Sequence, residues 1–290
     1  MSLLTRPLLV FFALAYLISW VIWLPLYLPA FGIQGLPVSG FQHAIGGFGP
    51  MLAAFIVTLF FQKKEGLFGL VEGMFAWRPV IYIVIALASP FVLTLFAGGL
   101  TWLIAGPNID FEGLGISREF PNFDILTFFL YNLIFFGFGE EVGWRGFVLP
   151  YLQSKYNALV ASLLLSVFWA VWHWPLFFYR PGYVSMDVVG VFGWLFSLAT
   201  GSVLLSWLFN SSRGSILACA IFHATVDIAF TSDFSNAEIV QYTGALITIW
   251  GIVTIFWFKP RDLSNSARVK MTPLLRPRLP RLGDQEGYGG

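Results

Sequence analysis

Eight apolar runs, each near the roughly 20 residues that a helix needs to cross a bilayer, leave this chain few folds to choose from. They fall at about 8–28, 44–61, 79–104, 123–149, 157–179, 188–209, 214–231 and 237–258. In hydrocarbon every backbone N–H and C=O has to be satisfied within its own segment, so runs of this length become helices. The expected fold is therefore all-α, a polytopic membrane helix bundle of about eight transmembrane helices. Composition agrees, since only 11% of the residues are charged against roughly 25% in a soluble domain. A length of 290 residues would accommodate two soluble domains, but the repeated runs favour one membrane domain. The first run, Leu8 to Leu28, is too long for a cleavable leader, and no small-x-small site follows it. It reads as a retained span.

The loops orient the bundle. With eight spans both termini share one side, and that side collects fourteen of the 16 lysines and arginines, leaving Arg118 and Arg180 opposite. Lys and Arg accumulate on the cytoplasmic side, so both termini are expected there, in a cell membrane expected to be prokaryotic. The stretch 259–290 is rich in Pro, Gly, Arg and Leu and is expected to be a disordered basic cytoplasmic tail beside the lipid bilayer. A net charge of +1 gives no support for nucleic acid as a partner. The single cysteine, Cys219, excludes an internal disulfide and a cysteine-based zinc cluster, and reads as a small buried hydrophobe. His43, in a Gly- and Pro-rich loop, reads as uninvolved.

Ionisable groups inside a membrane are costly and default to function. Here they come from three spans: Glu140, Glu141 and Arg145 on the fourth, His173 on the fifth, His223 and Asp227 on the seventh. Glu141 and Arg145 are four apart with the acid first, the favourable order on one helical face. Glu140 is turned from Glu141 by about 100°, so one acid can be tethered by Arg145 while the other faces a cavity. His223 and Asp227 also share a face, and Asp227 either orients the His223 ring through a ring N–H or ligates beside it. Any one of these groups alone has a structural reading: a stabilising ion pair, an interfacial histidine, a packing hydrogen bond. Three together on otherwise apolar helices point to a site that activates water and stabilises an oxyanion.

At these residues the sequence resembles the CAAX prenyl endopeptidase and bacteriocin-processing family, often called CPBP or Abi intramembrane proteases. The family pattern is Glu-Glu-x-x-x-Arg, then Phe-x-x-x-His, then His-x-x-x-Asn/Asp. It stands here as Glu140-Glu141-Val142-Gly143-Trp144-Arg145, Trp169-Ala170-Val171-Trp172-His173 and His223-Ala224-Thr225-Val226-Asp227. Trp169 replaces the Phe and reads as a packing variant. Asp227 replaces the Asn of some members, and an ionised Asp cannot donate to an oxyanion.

The resemblance covers about 124–231. It implies that 123–231 is a CPBP-type catalytic core between N-terminal membrane spans (1–122) and a last span (232–258). It further implies an intramembrane endopeptidase acting on a membrane-anchored protein or peptide. Glu140 would activate the attacking water with help from His173, Glu141 and Arg145 would support that geometry, and His223 and Asp227 would bind the oxyanion or orient its donor. Two chemistries stay open. Glu140, His173 and His223 have the composition of a three-ligand zinc site with an open position. Direct glutamate catalysis without a cofactor is preferred, because a bound metal leaves fewer groups free to act as base. The alternatives to an enzyme are a transporter or proton relay, or an immunity or partner-binding protein.

Depth raises a difficulty. At 1.5 Å per residue, Glu140 and His223 lie roughly 14 Å from the tail-side ends of their spans, whereas His173 lies roughly 24 Å away. The chamber is expected to open to the cytoplasm.

Overall fold

A computed structural model of the chain describes residues 6–106, 113 and 115–271, so the expected tail from 272 onward lies outside the described residues. The helices are α1 (Arg6–Tyr27), α2 (Gln42–Gly46), α3 (Gly49–Phe75), α4 (Val80–Ala105), α5 (Ile125–Gln153), α6 (Ala158–Trp172), α7 (Pro181–Val184), α8 (Val188–Ser211), α9 (Ile216–Thr231) and α10 (Ala237–Phe258). Extended pairing among the described residues is limited to an isolated bridge between Ser117 and Ser232. Among the described residues seven helical segments are long and apolar enough to cross a membrane, so this is a multi-pass membrane protein. The eighth expected span, α9, has 16 residues. At 1.5 Å per residue it reaches only about 24 Å, less than a full hydrocarbon core of about 30 Å.

Local sequence fixes where the helices start. Asp124, Asn157, Asp187, Ser215 and Asn236 each accept a hydrogen bond from the backbone N–H three residues on. These caps satisfy donors that a helix start would otherwise leave unpaired. Asp124 precedes its span, and the Thr127 N–H holds its carboxyl below the usual range. In α3 the backbone at Lys63 leaves helical geometry (φ 59°, ψ −154°), which breaks the helix just past 61, where the second apolar run ends. Beyond it, Leu70 is buried, and Gly73 lies close to Ile216 at the start of α9.

α5 carries the acidic motif through the centre of the bundle. Stretches of π-helix, Leu133–Phe138 and Trp144–Val148, flank Gly139–Gly143. Such wide turns inside α-helices recur at functional sites because they re-aim side chains. Glycine lets neighbouring backbones close in. A Cβ on Gly137 would meet the Ala220 carbonyl of α9 at 2.5 Å, and one on Gly143 would meet Pro50 of α3 at 2.6 Å. Helix association in lipid depends on close approach of this kind.

α1 braces α6. Tyr16 OH and Trp20 Nε1 donate to the carbonyls of Phe168 and Trp172, and Trp172 Nε1 donates to Ser19 Oγ. The first span, which lacks any family motif, thus holds the helix that carries His173.

The expectation of disorder from residue 259 does not hold through residue 271. Ala158 N–H bonds the Arg261 carbonyl, Asn210 Nδ2 donates to the Asp262 carbonyl, and Leu263 is fully buried. Gln153 and Asn210 exchange amide hydrogen bonds with each other and hold the backbone of Val269. This strap closes the end of the bundle where α5 and α8 finish and α6 and α9 begin. Cys219 is buried, as expected.

Candidate active site

Glu140 lies near the middle of α5, with both acids buried: the Glu140 side chain is 5% exposed and that of Glu141 0%. Their environments differ as the helical rotation requires. Glu141 Oε1 accepts from Arg145 Nη1 at 2.9 Å and from His223 Nδ1 at 2.7 Å. A carboxylate tied to an arginine accepts only, so the ring proton sits on His223 Nδ1. Glu140 instead offers Oε2 to two indoles, Trp169 Nε1 at 2.7 Å and Trp144 Nε1 at 3.3 Å. Its Oε1 faces His223 Nε2 across 3.9 Å. Asp227 Oδ2 lies 3.7 Å from the same Nε2. These distances are too long for direct hydrogen bonds and of the size that a bridging water spans.

Two expectations change. The ring of His223 is oriented by Glu141 from another helix and not by Asp227, which stands at the opposite ring nitrogen. Trp169 is not a mere packing variant. Its N–H holds Glu140, and its ring lies under Arg145, with Cζ 4.5 Å from the ring centroid. It also contacts the rings of His173 and His223. Trp169 therefore touches Glu140 and both partners of Glu141, and an indole N–H where the pattern has Phe was the signal for it.

His173 resolves the depth difficulty. It ends α6 one turn beyond Trp169, so it sits farther along the bundle than Glu140. Its Nδ1 bonds the Trp169 carbonyl at 2.8 Å. A carbonyl only accepts, so Nδ1 carries the proton and Nε2 keeps its lone pair in the neutral ring. The ring stacks on Tyr183 and meets Trp194 edge-on. Burial pushes the Tyr183 phenol up, which keeps it a neutral O–H.

His43 does not stand apart. Its Nδ1 pairs with Tyr179 OH at 2.8 Å, and its ring lies against Trp23. Beside it, Arg180 bonds Glu119 at 2.8 Å. Burial lowers the Arg180 guanidinium, but Glu119 outweighs it and holds the group above its ordinary value.

Three atoms at the centre have no hydrogen-bond partner among the described residues: Glu141 Oε2, Arg145 Nε and Arg145 Nη2. Among the described residues no group of three or more His, Cys, Asp or Glu side chains is arranged to hold a metal ion. As they stand, Glu140, His173 and His223 do not form a ligand cage.

Comparison with known proteins agrees with the motifs. Residues 122–229 match a family described as type II CAAX prenyl endopeptidase Rce1-like. A curated protein of Methanococcus maripaludis named CAAX prenyl protease 2 is 25% identical over 126 residues. That match covers 40% of this chain and 45% of the relative, so the chain spans less than half the length of the protein it matches. All six residues of the motifs fall inside the matched stretch, so over residues 122–229 the comparison supports the resemblance to the CPBP family of CAAX prenyl endopeptidases.

Proposed function

We propose that this protein is an intramembrane endopeptidase that hydrolyses a peptide bond of a membrane-associated protein or peptide by glutamate-activated water. The observation that carries this reading is the asymmetric hold on Glu140. One carboxylate oxygen is fixed by two indole N–H groups, and the other faces His223 Nε2 across 3.9 Å.

The chemistry follows from that geometry. A water in the gap gives its proton to Glu140 Oε1 as its oxygen attacks the scissile carbonyl. The carbonyl oxygen becomes an oxyanion. Protonated His223, fixed by Glu141 at Nδ1, presents Nε2–H to that oxyanion. The C–N bond then breaks, and Glu140 returns its proton to the leaving amine. The products are a carboxylic acid and an amine, and Glu140 ends as it began. Asp227, 3.7 Å from Nε2, favours the charged imidazole. It has no N–H to offer, so its part is electrostatic. His173, with its Nε2 lone pair, assists in orienting the water. No step here is routed through a metal.

The test compares the peptide ends in membranes carrying the wild type and Glu140→Ala at matched protein level, with and without a strong chelator. New ends that vanish in the variant and survive the chelator support a glutamate-activated water. Chelator-sensitive ends support a metal. Identical ends in both membranes, with the variant folded, count against a peptidase and for transport or partner binding.

A further inference from the structure

α4 lies outside the matched stretch and carries Pro90 inside a helix long enough to cross a membrane. Proline has no N–H, so the Ala86 carbonyl, four residues back, loses the donor that an α-helix would give it. In hydrocarbon a carbonyl freed in this way is satisfied by a neighbouring helix or by a Ser or Thr side chain. Here the donor comes from α9. Thr225 Oγ1 lies 2.9 Å from the Ala86 carbonyl, and both residues are fully buried.

The same oxygen stands 2.9 Å from the Ile221 carbonyl and 3.0 Å from that of Phe222. A hydroxyl has one proton to give. Along α9 the carbonyls of Ile221 and Phe222 have the N–H groups of Thr225 and Val226 as their ladder donors. Ala86 has lost its ladder donor, so the hydroxyl proton goes to Ala86.

What this bond holds is the helix that carries His223. Each residue turns a helix by about 100°, so Thr225, two after His223 and two before Asp227, lies on the face opposite both. On the His223 side the Ala220 carbonyl lies against Gly137 of α5. α9 is thus gripped by α5 at the front and by the Ala86 carbonyl at the back. Side chains reach roughly 6 Å from a helix axis, so a turn of about 10° moves a ring by about 1 Å. A misplacement of that size can cost about 10²-fold in rate.

We infer that Thr225 is a positioning residue: through the carbonyl that Pro90 frees, it fixes the rotation of α9 and so holds His223 against Glu141, with Asp227 beside it. The effect on turnover rests on the peptidase reading; the position of the ring does not.

The chain has 3 histidines, so ¹⁵N-histidine labelling of the whole protein in detergent gives few ring signals. The His223 Nδ1–H proton, assigned by its loss in His223→Gln, reports the 2.7 Å contact with Glu141. Thr225→Val keeps the shape and removes the hydroxyl. The expected result is an upfield shift or loss of that proton signal. On a substrate found by the peptide-end comparison, kcat should fall on the order of 10-fold with KM unchanged, between the loss of one neutral hydrogen bond and a full displacement of about 1 Å. Thr225→Ser should restore both readouts. Pro90→Ala returns an N–H to α4, so in that background Thr225→Val should move the signal and kcat little, as coupled sites do. A signal unmoved by Thr225→Val, or moved as much in the Pro90→Ala background, overturns the assignment, even where the denaturation midpoint falls, since a merely structural threonine would lower that alone. If Thr225→Val does not fold, Thr225→Ala replaces it with the same reading. A wild type that shows the signal and its dependence on Thr225 without any turnover counts against the peptidase reading and leaves the positioning role standing.

Discussion

Both the strap end and the centre of this bundle bury polar groups in an apolar surround, and they treat them in opposite ways. At the strap end Gln153 and Asn210 exchange hydrogen bonds with each other and with the backbone of Asp262 and Val269. At the centre His223 Nε2 stands 3.9 Å from one carboxylate and 3.7 Å from another, and Arg145 keeps two N–H groups without partners among the described residues. A fully satisfied network rigidifies and specifies a packing arrangement, whereas a partly satisfied one is expensive to bury. The difference separates a lock from a reactive site.

That contrast breaks first at Glu140. Glu140→Gln keeps the shape and the indole hydrogen bonds to Oε2 but removes the base, so turnover should fall by on the order of 10²–10⁴-fold with thermal stability little changed. An equal loss of stability would make Glu140 structural. Next is Arg145→Met, which strands Glu141 as a buried anion. Breaking such a pair costs about 3–5 kcal/mol, read as a lowered denaturation midpoint in detergent.

Trp169→Phe removes one N–H from Glu140 while keeping a ring. A hydrogen bond to a charged group contributes about 1.5–3 kcal/mol, so kcat should fall about 10- to 100-fold with KM unchanged. A change confined to KM would assign Trp169 to substrate packing instead. Asn210→Leu sharpens the other side of the contrast. It leaves Gln153 unpaired and should cost about 1–3 kcal/mol of stability without changing turnover per folded molecule. Adding Gln153→Leu should recover part of that loss, since paired removal leaves fewer orphans.

The smallest effect belongs to Asp124, an exposed cap. Its carboxyl is held below the unfolded value of 3.8. Its contribution is therefore fully present above that pH and is lost as the pH falls through the lower folded value. Asp124→Ala should speed amide exchange in the first turn of α5 at neutral pH, and the difference from wild type should vanish on strong acidification.

Span positions were legible because a run of apolar residues long enough to cross a bilayer has no other stable outcome. The six ionisable residues were legible because such groups are rare inside spans. Their pairings were not, because spacing along one helix cannot report that Glu141 reaches across to His223. Trp169 and Trp144 hid because an indole counts as apolar in any hydropathy pattern while carrying a donor. The strap hid behind a composition rich in Pro and Arg, since its order comes from partners in α5 and α8.

Glu140 as activator of water is tested most directly by a single turnover in H₂¹⁸O on a substrate found by the peptide-end comparison. Mass spectrometry then follows both the product and the peptide containing Glu140. One ¹⁸O in the new C-terminal carboxyl and none in Glu140 is the predicted result. Label in the Glu140 carboxylate would mean attack by that side chain through an anhydride, and would contradict the role assigned to it.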